Sequence, residues 1–287
     1  MYPWRTTGQL EDGVFGSTRK ASIALIVALV TLHIALKAVF FSPWFLYRVA
    51  LPLETATGGL VTPATLAGSI QLIVLVVIGT MAFGGFSWRQ IGFRTGGQST
   101  SGILIALIWA TACLVSLLFG GSLALDGPTL RTAAASILQA TAGSALTEEL
   151  FYRGFLLVQV YLVIRGTTRS WSTGRCLFWA VALVQVYFAA NHVPAGMRAG
   201  LPADVMLLWL VQTACVGAMF AVLFVQTGSI VLSVGAHALL NFSMPFLASP
   251  LDPALVVLLL VCAAMLAGPW LFERSLQGAT AVTEPAA

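Results

Sequence analysis

Two adjacent glutamates, Glu148 and Glu149, lie in the middle of a long apolar stretch, and Arg153 follows within one helical turn. A charged group in hydrocarbon costs at least ~2.5 kcal/mol unless it is paired or hydrated, so such residues usually mark function. On a helix, Glu149 and Arg153 lie four residues apart on one face and can form a buried ion pair. Glu148 points ~100° away from its neighbour. The spacing therefore predicts a structural Glu149 and a Glu148 that projects into a cavity.

Two of the three histidines extend this chemistry. His192 ends an apolar run, and His237 precedes Asn241 by four residues, which aims an imidazole and a carboxamide at one point. In hydrolysis a carboxylate accepts the proton of water, a histidine orients the water, and His and Asn donors stabilise an oxyanion. The same residues could instead bind zinc through Glu148, His192 and His237, because two His and one Glu form a known catalytic ligand set.

Each feature also has a non-catalytic interpretation. The glutamate pair with Arg153 could be a buried packing network, His192 could be a capping residue, and His237 with Asn241 could be a polar contact between helices. Their joint occurrence in a chain that is only 8% charged favours a catalytic site. The third histidine, His33, lies outside this group and is interpreted as structural or interfacial.

Other types of membrane protease fit the sequence less well. The chain has no His-Glu-x-x-His motif, which is the zinc signature of many metalloproteases. No pair of aspartates lies in the apolar segments, and Gly143–Ser144 lacks the context of a rhomboid-type serine nucleophile. The four cysteines show no metal-binding spacing and are interpreted as small apolar residues. A site built on glutamate and histidine remains.

The elements that position these residues are predicted to be transmembrane helices. The chain is 59% hydrophobic, more than a soluble domain of 287 residues can bury. Runs of the length that crosses ~30 Å recur about eight times. We therefore predict an all-α, polytopic bundle in which residues 1–287 form one domain, with spans near 21–41, 66–86, 101–121, 133–164, 176–192, 205–225, 229–247 and 255–272.

Loop charges predict the orientation of this bundle. With eight spans, one side holds nine basic residues and the opposite side holds three, Arg48, Arg131 and Arg198. An excess of Lys and Arg marks the cytoplasmic side, so both termini are expected there, while Lys37 can snorkel from the first span to the interface. The net charge of +4 is explained by these loops and does not indicate nucleic acid. The nine are Arg5, Arg19, Lys20, Arg89, Arg94, Arg165, Arg169, Arg175 and Arg274.

Three short motifs in order resemble the family of CAAX proteases and bacteriocin-processing enzymes, which includes the type II CAAX prenyl endopeptidases and abortive-infection-like proteins. The family pattern is EExxxR, FxxxH and HxxxN or HxxxD. The resemblance covers about residues 85–245 and includes a stretch from Trp88 to Arg94 that is similar to one in bacterial members. The matching residues are Glu148, Glu149 and Arg153, then Phe188 and His192, then His237 and Asn241.

The resemblance implies an intramembrane endopeptidase of a bacterial plasma membrane that cuts a membrane-associated protein or peptide. Glu148 would be the general base, His192 would hold the attacking water, and His237 with Asn241 would stabilise the oxyanion. Glu149 and Arg153 would brace the site. Members have been described as metallo and as glutamate-type proteases; hydrolysis without a metal is favoured, with zinc as the alternative.

Two other functions stay open at this point. The first is a non-catalytic bacteriocin-immunity or binding protein. The second is a proton-coupled transporter, in which Glu148 and the histidines form a relay; the paired, broken helices of many transporters are not visible in the sequence. The substrate and the oligomeric state are not predicted.

Overall fold

The computed structural model describes residues 15–16, 18–93, 98–168, 170–242, 244–263 and 265. These residues are mostly helical, as predicted. Four of the basic loop residues lie outside the described residues: Arg5, Arg94, Arg169 and Arg274. The predicted eighth span, 255–272, is described only for residues 255–263 and 265. The helices are α1 (Ile23–Phe40), α2 (Pro43–Phe45, Leu46–Ala50 and Leu51–Ala56), α3 (Pro63–Phe83), α4 (Gln98–Leu118), α5 (Gly127–Leu138, Gln139–Ala145, Leu146–Glu148, Glu149–Leu157 and Val158–Thr167), α6 (Thr173–Ala190), α7 (Val193–Arg198), α8 (Ala203–Thr227), α9 (Ile230–Asn241) and α10 (Pro253–Ala263).

Helix boundaries follow local chemistry. Several helices begin at a Ser, Thr or Asp whose side-chain oxygen accepts a hydrogen bond from a backbone N–H of the first turn, which is the standard N-cap interaction. The caps are Ser22, Thr62, Asp126, Ser172 and Ser229. Helix α8 ends at Gly228 with a φ of +67°, a left-handed conformation that glycine adopts without strain. The chain can therefore reverse into α9 within two residues.

Five helices in the described part of the chain are long and apolar enough to cross a membrane. This confirms an all-α membrane bundle. Two further apolar helices, α9 and α10, are shorter. The predicted run at 229–247 contains a helix of only 12 residues, Ile230–Asn241, which covers ~18 Å at 1.5 Å per residue. The five long apolar helices are Ile23–Phe40, Pro63–Phe83, Ser99–Leu118, Thr173–Arg198 and Ala203–Thr227.

The chain beyond α9 is not helical at once. Phe242 has an extended backbone, and Leu247–Ala248 forms a short antiparallel pair with Ser122–Leu123. We name these two strands β1 (Ser122–Leu123) and β2 (Leu247–Ala248). The pairing joins the loop before α5 to the loop after α9. It therefore holds the first residues of α5 near the last residues of α9.

Helix α5 is the centre of the bundle. Every residue from Glu149 to Leu157 is buried, and α5 packs against α3, α6, α8 and α9. Two stretches of α5, Gln139–Ala145 and Glu149–Leu157, have π-type hydrogen bonding between residues five apart. Such turns are rare in helices and often occur at functional sites. They flank Glu148 on both sides.

Small residues allow α3 and α5 to approach closely. A Cβ atom added to Gly68 would collide with the backbone of Gly143, so the two helices cross with their backbones in contact. The hydroxyl of Thr147 donates a hydrogen bond of 2.9 Å to the carbonyl oxygen of Gly68. This crossing holds α3 directly beside the turn of α5 that carries Glu148.

The stretch that begins at Trp88 forms a turn against α5. The backbone of Ile91 lies so close to Gly154 that a Cβ there would collide with it. The next residue, Gly92, has a φ of +103°, and its carbonyl accepts a hydrogen bond of 3.4 Å from the N–H of Ile230. The turn therefore connects α5, one residue after Arg153, with the first turn of α9.

Candidate active site

Glu149 and Arg153 form the predicted buried ion pair. Arg153 Nη1 lies 3.1 Å from Glu149 Oε1, and both side chains are 0% exposed. Arg153 Nη2 donates to Gln185 Oε1 at 3.3 Å and to the carbonyl oxygen of Gly217 at 3.0 Å. A charge is tolerated in a protein interior when it is paired and hydrogen-bonded in this way. One arginine thus joins α5, α6 and α8.

Aromatic rings enclose the guanidinium group. Its central carbon lies 4.6 Å from the ring centre of Phe188, 5.7 Å from that of Phe220 and 5.8 Å from that of Tyr152. A cation near the face of an aromatic ring is stabilised by the negative potential of that face. Phe188, predicted as a supporting residue, therefore contacts the buried cation directly.

Glu148 has the opposite environment. Its side chain is 16% exposed and lines a cavity of about 280 Å³ between α5, α6, α8 and α9, which we call the central cavity. The structure brings the four predicted catalytic side chains to this one cavity. Its lining comprises Ser144, Glu148, Phe188, His192, Trp209, Gln212, Thr213, Val216, Phe220, His237, Leu240 and Asn241.

His237 lies between the two glutamates. Its Nδ1 is 2.8 Å from Glu149 Oε1, and its Nε2 is 3.7 Å from Glu148 Oε2. Because Glu149 is paired with Arg153 as a carboxylate, it accepts the hydrogen bond and His237 Nδ1 carries a proton. The imidazole also stacks on Phe220, with ring centres 4.8 Å apart and planes inclined by 19°. His237 Nε2 is thus the nitrogen that remains for Glu148 and for a substrate.

His192 has its tautomer set by the backbone. Its Nδ1 lies 2.9 Å from the carbonyl oxygen of Phe188. A carbonyl only accepts, so His192 Nδ1 donates, and Nε2 of the neutral ring keeps its lone pair. The ring is held by Phe188 at 4.7 Å and Trp209 at 5.9 Å between ring centres. The neutral imidazole can therefore accept a hydrogen bond from water.

Asn241 closes the cavity at the end of α9. Its amide nitrogen donates a hydrogen bond of 3.0 Å to Ser144 Oγ. Ser144 lies one turn before Glu148 and donates to the carbonyl oxygen of Ala140 at 3.1 Å. The amide group has two N–H donors, and this contact uses one of them. The other is available to a ligand.

Several residues of this site are not among those predicted from the sequence. Gln185 could have been found, because it is a polar residue in an apolar helix, one turn before Phe188. The contact of Ser144 with Asn241 joins two helices that are distant in the chain, so it has no local sequence signal. Gly217 has no sequence signal; its lack of a side chain matters because a Cβ there would meet Gln185 and lie 3.0 Å from Arg153 Nη2. Phe220 and Trp209 resemble ordinary apolar residues of a membrane helix.

His33 lies close to the site but not in the lining of the central cavity. It is buried, its Nδ1 shares a hydrogen bond of 2.8 Å with the hydroxyl of Tyr187, and its ring is 5.1 Å from Phe151 and 5.6 Å from Tyr152. These contacts fasten α1 to α5 and α6. Lys37, one turn further along α1, is partly exposed in the last turn of that helix.

The proposed zinc ligands do not meet as a ligand set. Among the described residues, no group of three or more His, Cys, Asp or Glu side chains is arranged to hold a metal ion. Glu148 and His237 approach each other, but His192 does not complete a triad with them. The four cysteines are free thiols.

The fold and the cavity define the class of the protein. Apolar helices long enough to cross a membrane surround a buried ion pair and a polar cavity, so this is an integral, multi-pass membrane protein. Residues 130–243 match the family model described as type II CAAX prenyl endopeptidase Rce1-like, which agrees with the family that the three sequence motifs resemble. No curated protein and no solved structure matches the chain.

The matched segment covers α5 to α9. It includes all residues that line the central cavity and all partners of Arg153. The stretch from Trp88 to Arg94, which belongs to the family resemblance in the sequence, precedes the matched segment. The family match and the polar site therefore coincide in the same part of the chain.

Proposed function

We propose that the protein is an intramembrane endopeptidase that hydrolyses a peptide bond of a membrane-associated protein or peptide, with Glu148 as the general base. One observation carries this proposal. Glu148 opens into a cavity that also receives His192, His237 and Asn241, while the adjacent Glu149 is fully buried. An enclosed carboxylate beside hydrogen-bonding side chains is the arrangement that activates water.

The attacking water would lie between Glu148 and His192. The lone pair of His192 Nε2 accepts one hydrogen bond from the water, and the carboxylate of Glu148 accepts the other. As the water oxygen attacks the carbonyl carbon of the peptide bond, its proton passes to Glu148. The bond from oxygen to carbon forms and the carbonyl becomes an oxyanion. Apolar neighbours such as Phe188 and Phe220 limit competing water.

The oxyanion would be stabilised by His237 and Asn241. His237 Nδ1 is engaged with Glu149, so Nε2 is the nitrogen of this ring that would donate a hydrogen bond to the oxyanion. Asn241 offers the N–H that Ser144 does not use. When the intermediate collapses, the carbon–nitrogen bond breaks, and Glu148 returns its proton to the leaving amine.

We propose this hydrolysis without a metal. Zinc bound by Glu148, His192 and His237 is the alternative. Prolonged dialysis of the purified protein against a chelator separates the two, because a zinc enzyme loses its activity and regains it when zinc is added. Retained cleavage after metal removal is the expected result.

We further propose that the bundle has about eight spans in a bacterial plasma membrane, with both termini in the cytoplasm. Single cysteines introduced at loop positions of a variant whose four native cysteines are replaced by alanine, labelled from either side in cells, test this topology. The expected result is that Arg48→Cys and Arg198→Cys, on the predicted outer side, react with an impermeant thiol reagent in intact cells, and that Arg165→Cys reacts only after lysis.

The catalytic role of Glu148 is tested by Glu148→Gln. Amide replaces carboxylate at constant shape, so the general base is lost, and cleavage should fall by about 10²–10⁴-fold. The measurement is mass spectrometry of new peptide termini in membranes from cells that make either the variant or the original protein. Glu54→Gln, at a partly exposed residue of α2 that does not line the central cavity, is the control and should keep full activity. Unchanged cleavage by Glu148→Gln would contradict the proposal.

A further inference from the structure

A second cavity adjoins the central cavity. It has a volume of about 480 Å³ and lies between α7 and the first half of α8; we call it the side groove. Its walls are formed mainly by Gly196 and Ala199 on one side and by Val205, Leu208, Trp209 and Gln212 on the other.

Two residues belong to both cavities. Trp209 and Gln212 line the side groove and the central cavity, and they lie three residues apart on one face of α8. The ring of Trp209 is packed edge-on against that of His192, with ring centres 5.9 Å apart. Trp209 therefore borders the side groove and also contacts His192 of the central cavity.

The floor of the side groove is also connected to the central cavity. The first turn of α7 is hydrogen-bonded to His192, whose carbonyl oxygen accepts from the N–H of Ala195 at 3.0 Å and of Gly196 at 3.1 Å. Residues one helical turn apart are separated by about 5 Å along the axis. An extended peptide advances about 3.4 Å per residue, so a substrate at His192 would reach the side groove within one or two residues.

The lining determines what the side groove can accept. It contains small and aliphatic side chains, one indole and one carboxamide, and no ionisable side chain. Gln212 is the polar member, is exposed, and has no hydrogen-bond partner within the described ranges of the chain. A carboxamide offers both a donor and an acceptor, which matches the N–H and C=O of an extended peptide backbone.

We propose that the side groove is a substrate subsite that binds an apolar side chain one or two residues from the cleaved bond. Gln212 hydrogen-bonds the peptide backbone at the passage between the cavities, and Trp209 forms the shared wall. This inference rests on the proposed peptidase function. It assigns a specificity role to α7 and the first half of α8.

The first test fills the groove. Ala199→Phe adds a ring to its wall, and Leu207→Phe is the matched control, because Leu207 is 64% exposed on α8 and lines neither cavity. Cleavage sites in a peptide mixture from a membrane proteome are identified with the original protein and compared for each variant. Ala199→Phe should reduce cleavage by about 10-fold or more at sites with a large apolar residue near the cut, and much less at sites with Gly or Ala there. A uniform loss at all sites, or an equal effect of Leu207→Phe, would overturn the subsite.

The second test does not depend on cleavage. The photoreactive residue p-benzoylphenylalanine replaces Ala199 in the Glu148→Gln protein, which is then illuminated with the same peptides in phospholipid vesicles. Adducts with peptides that carry large apolar residues support the subsite. Adducts with phospholipid alone would show that the groove binds acyl chains and would overturn it. If the original protein cleaves nothing, the peptidase proposal fails, and the adducts alone decide whether the groove binds peptide.

Discussion

Glu148 and Glu149 are adjacent in the chain, yet the structure places them in two different regions. Glu149 is sealed among Arg153, His237 and aromatic rings and is 0% exposed, whereas Glu148 is 16% exposed and borders the central cavity. The difference follows from helical rotation, which turns neighbouring side chains to different faces. One carboxylate can therefore hold the helices together while the other meets a substrate, and the imidazole of His237 lies between the two.

This comparison predicts that the two regions respond differently to substitution. Changes in the sealed region should lower stability first, and activity as a consequence. Changes at the central cavity should lower activity and leave stability nearly unchanged. The Glu148→Gln variant belongs to the second group, and its unfolding temperature should stay close to that of the original protein.

The largest effect on stability is expected for Arg153→Met. The substitution leaves Glu149 buried without its cation, which typically costs about 3–5 kcal/mol. Unfolding of the detergent-solubilised protein by heat or denaturant measures the change. Arg131→Met is the control, because Arg131 makes an exposed hydrogen bond to the carbonyl oxygen of Thr57 and should cost less than about 1 kcal/mol.

A double variant separates bracing from catalysis. Glu149→Leu combined with Arg153→Met removes both charges, and an apolar replacement of a buried pair is often neutral in stability. Stability should therefore recover relative to Arg153→Met alone. Activity should stay low, because His237 Nδ1 has lost its acceptor. Full activity in a stable double variant would show that Glu149 does not orient His237.

An intermediate effect is expected for Gly217→Ala. The added methyl group would press on the carboxamide of Gln185 and approach Arg153 Nη2 to 3.0 Å. Overpacking of this kind usually costs about 1–3 kcal/mol. Gly102→Ala, on α4, is the control: its Cβ would meet nothing within 4 Å, and helix propensity predicts a gain of about 0.5–1 kcal/mol. Equal stability of the two variants would contradict the close approach of α8 to the buried pair.

The smallest effect is expected for Ser144→Ala, on the cavity side of α5. Asn241 loses one hydrogen-bond acceptor, a contact of a kind that contributes about 0.5–1.5 kcal/mol. If that contact positions the amide for the oxyanion, kcat should fall by about 3- to 10-fold while KM changes little. Ser136→Ala, two turns earlier on the same helix, is the control. A change in KM alone would assign Ser144 to substrate binding instead.

Much of the sealed region could be predicted from local sequence. Glu149 and Arg153 lie on one helix, so their contact follows from helical spacing, and the structure confirms it. Their partners Gln185 and Gly217 come from α6 and α8. Helical spacing relates only residues of the same helix, so it could not identify Gln185 and Gly217, which lie on two other helices, as partners of Arg153.

The membrane-spanning helices, too, could be predicted only in part from the sequence. Composition and run length correctly indicated a helical membrane protein. They did not indicate that the helix carrying His237 has only 12 residues, or that the chain after it pairs with the loop before α5. An apolar run continues across Phe242 in the sequence, whereas the backbone there is extended, and Leu247–Ala248 then pairs with Ser122–Leu123.

By itself, the sequence determined that the helices of this protein lie in a lipid bilayer, and it identified the few residues that can carry chemistry. Charge is so costly in hydrocarbon that Glu148, Glu149 and Arg153 had to be paired, hydrated or functional. Only the tertiary structure decided which imidazole bridges the two glutamates, which ring nitrogens face the central cavity, and which groove adjoins it. These properties depend on contacts between helices distant in the chain, and their geometry is set by packing across the whole bundle.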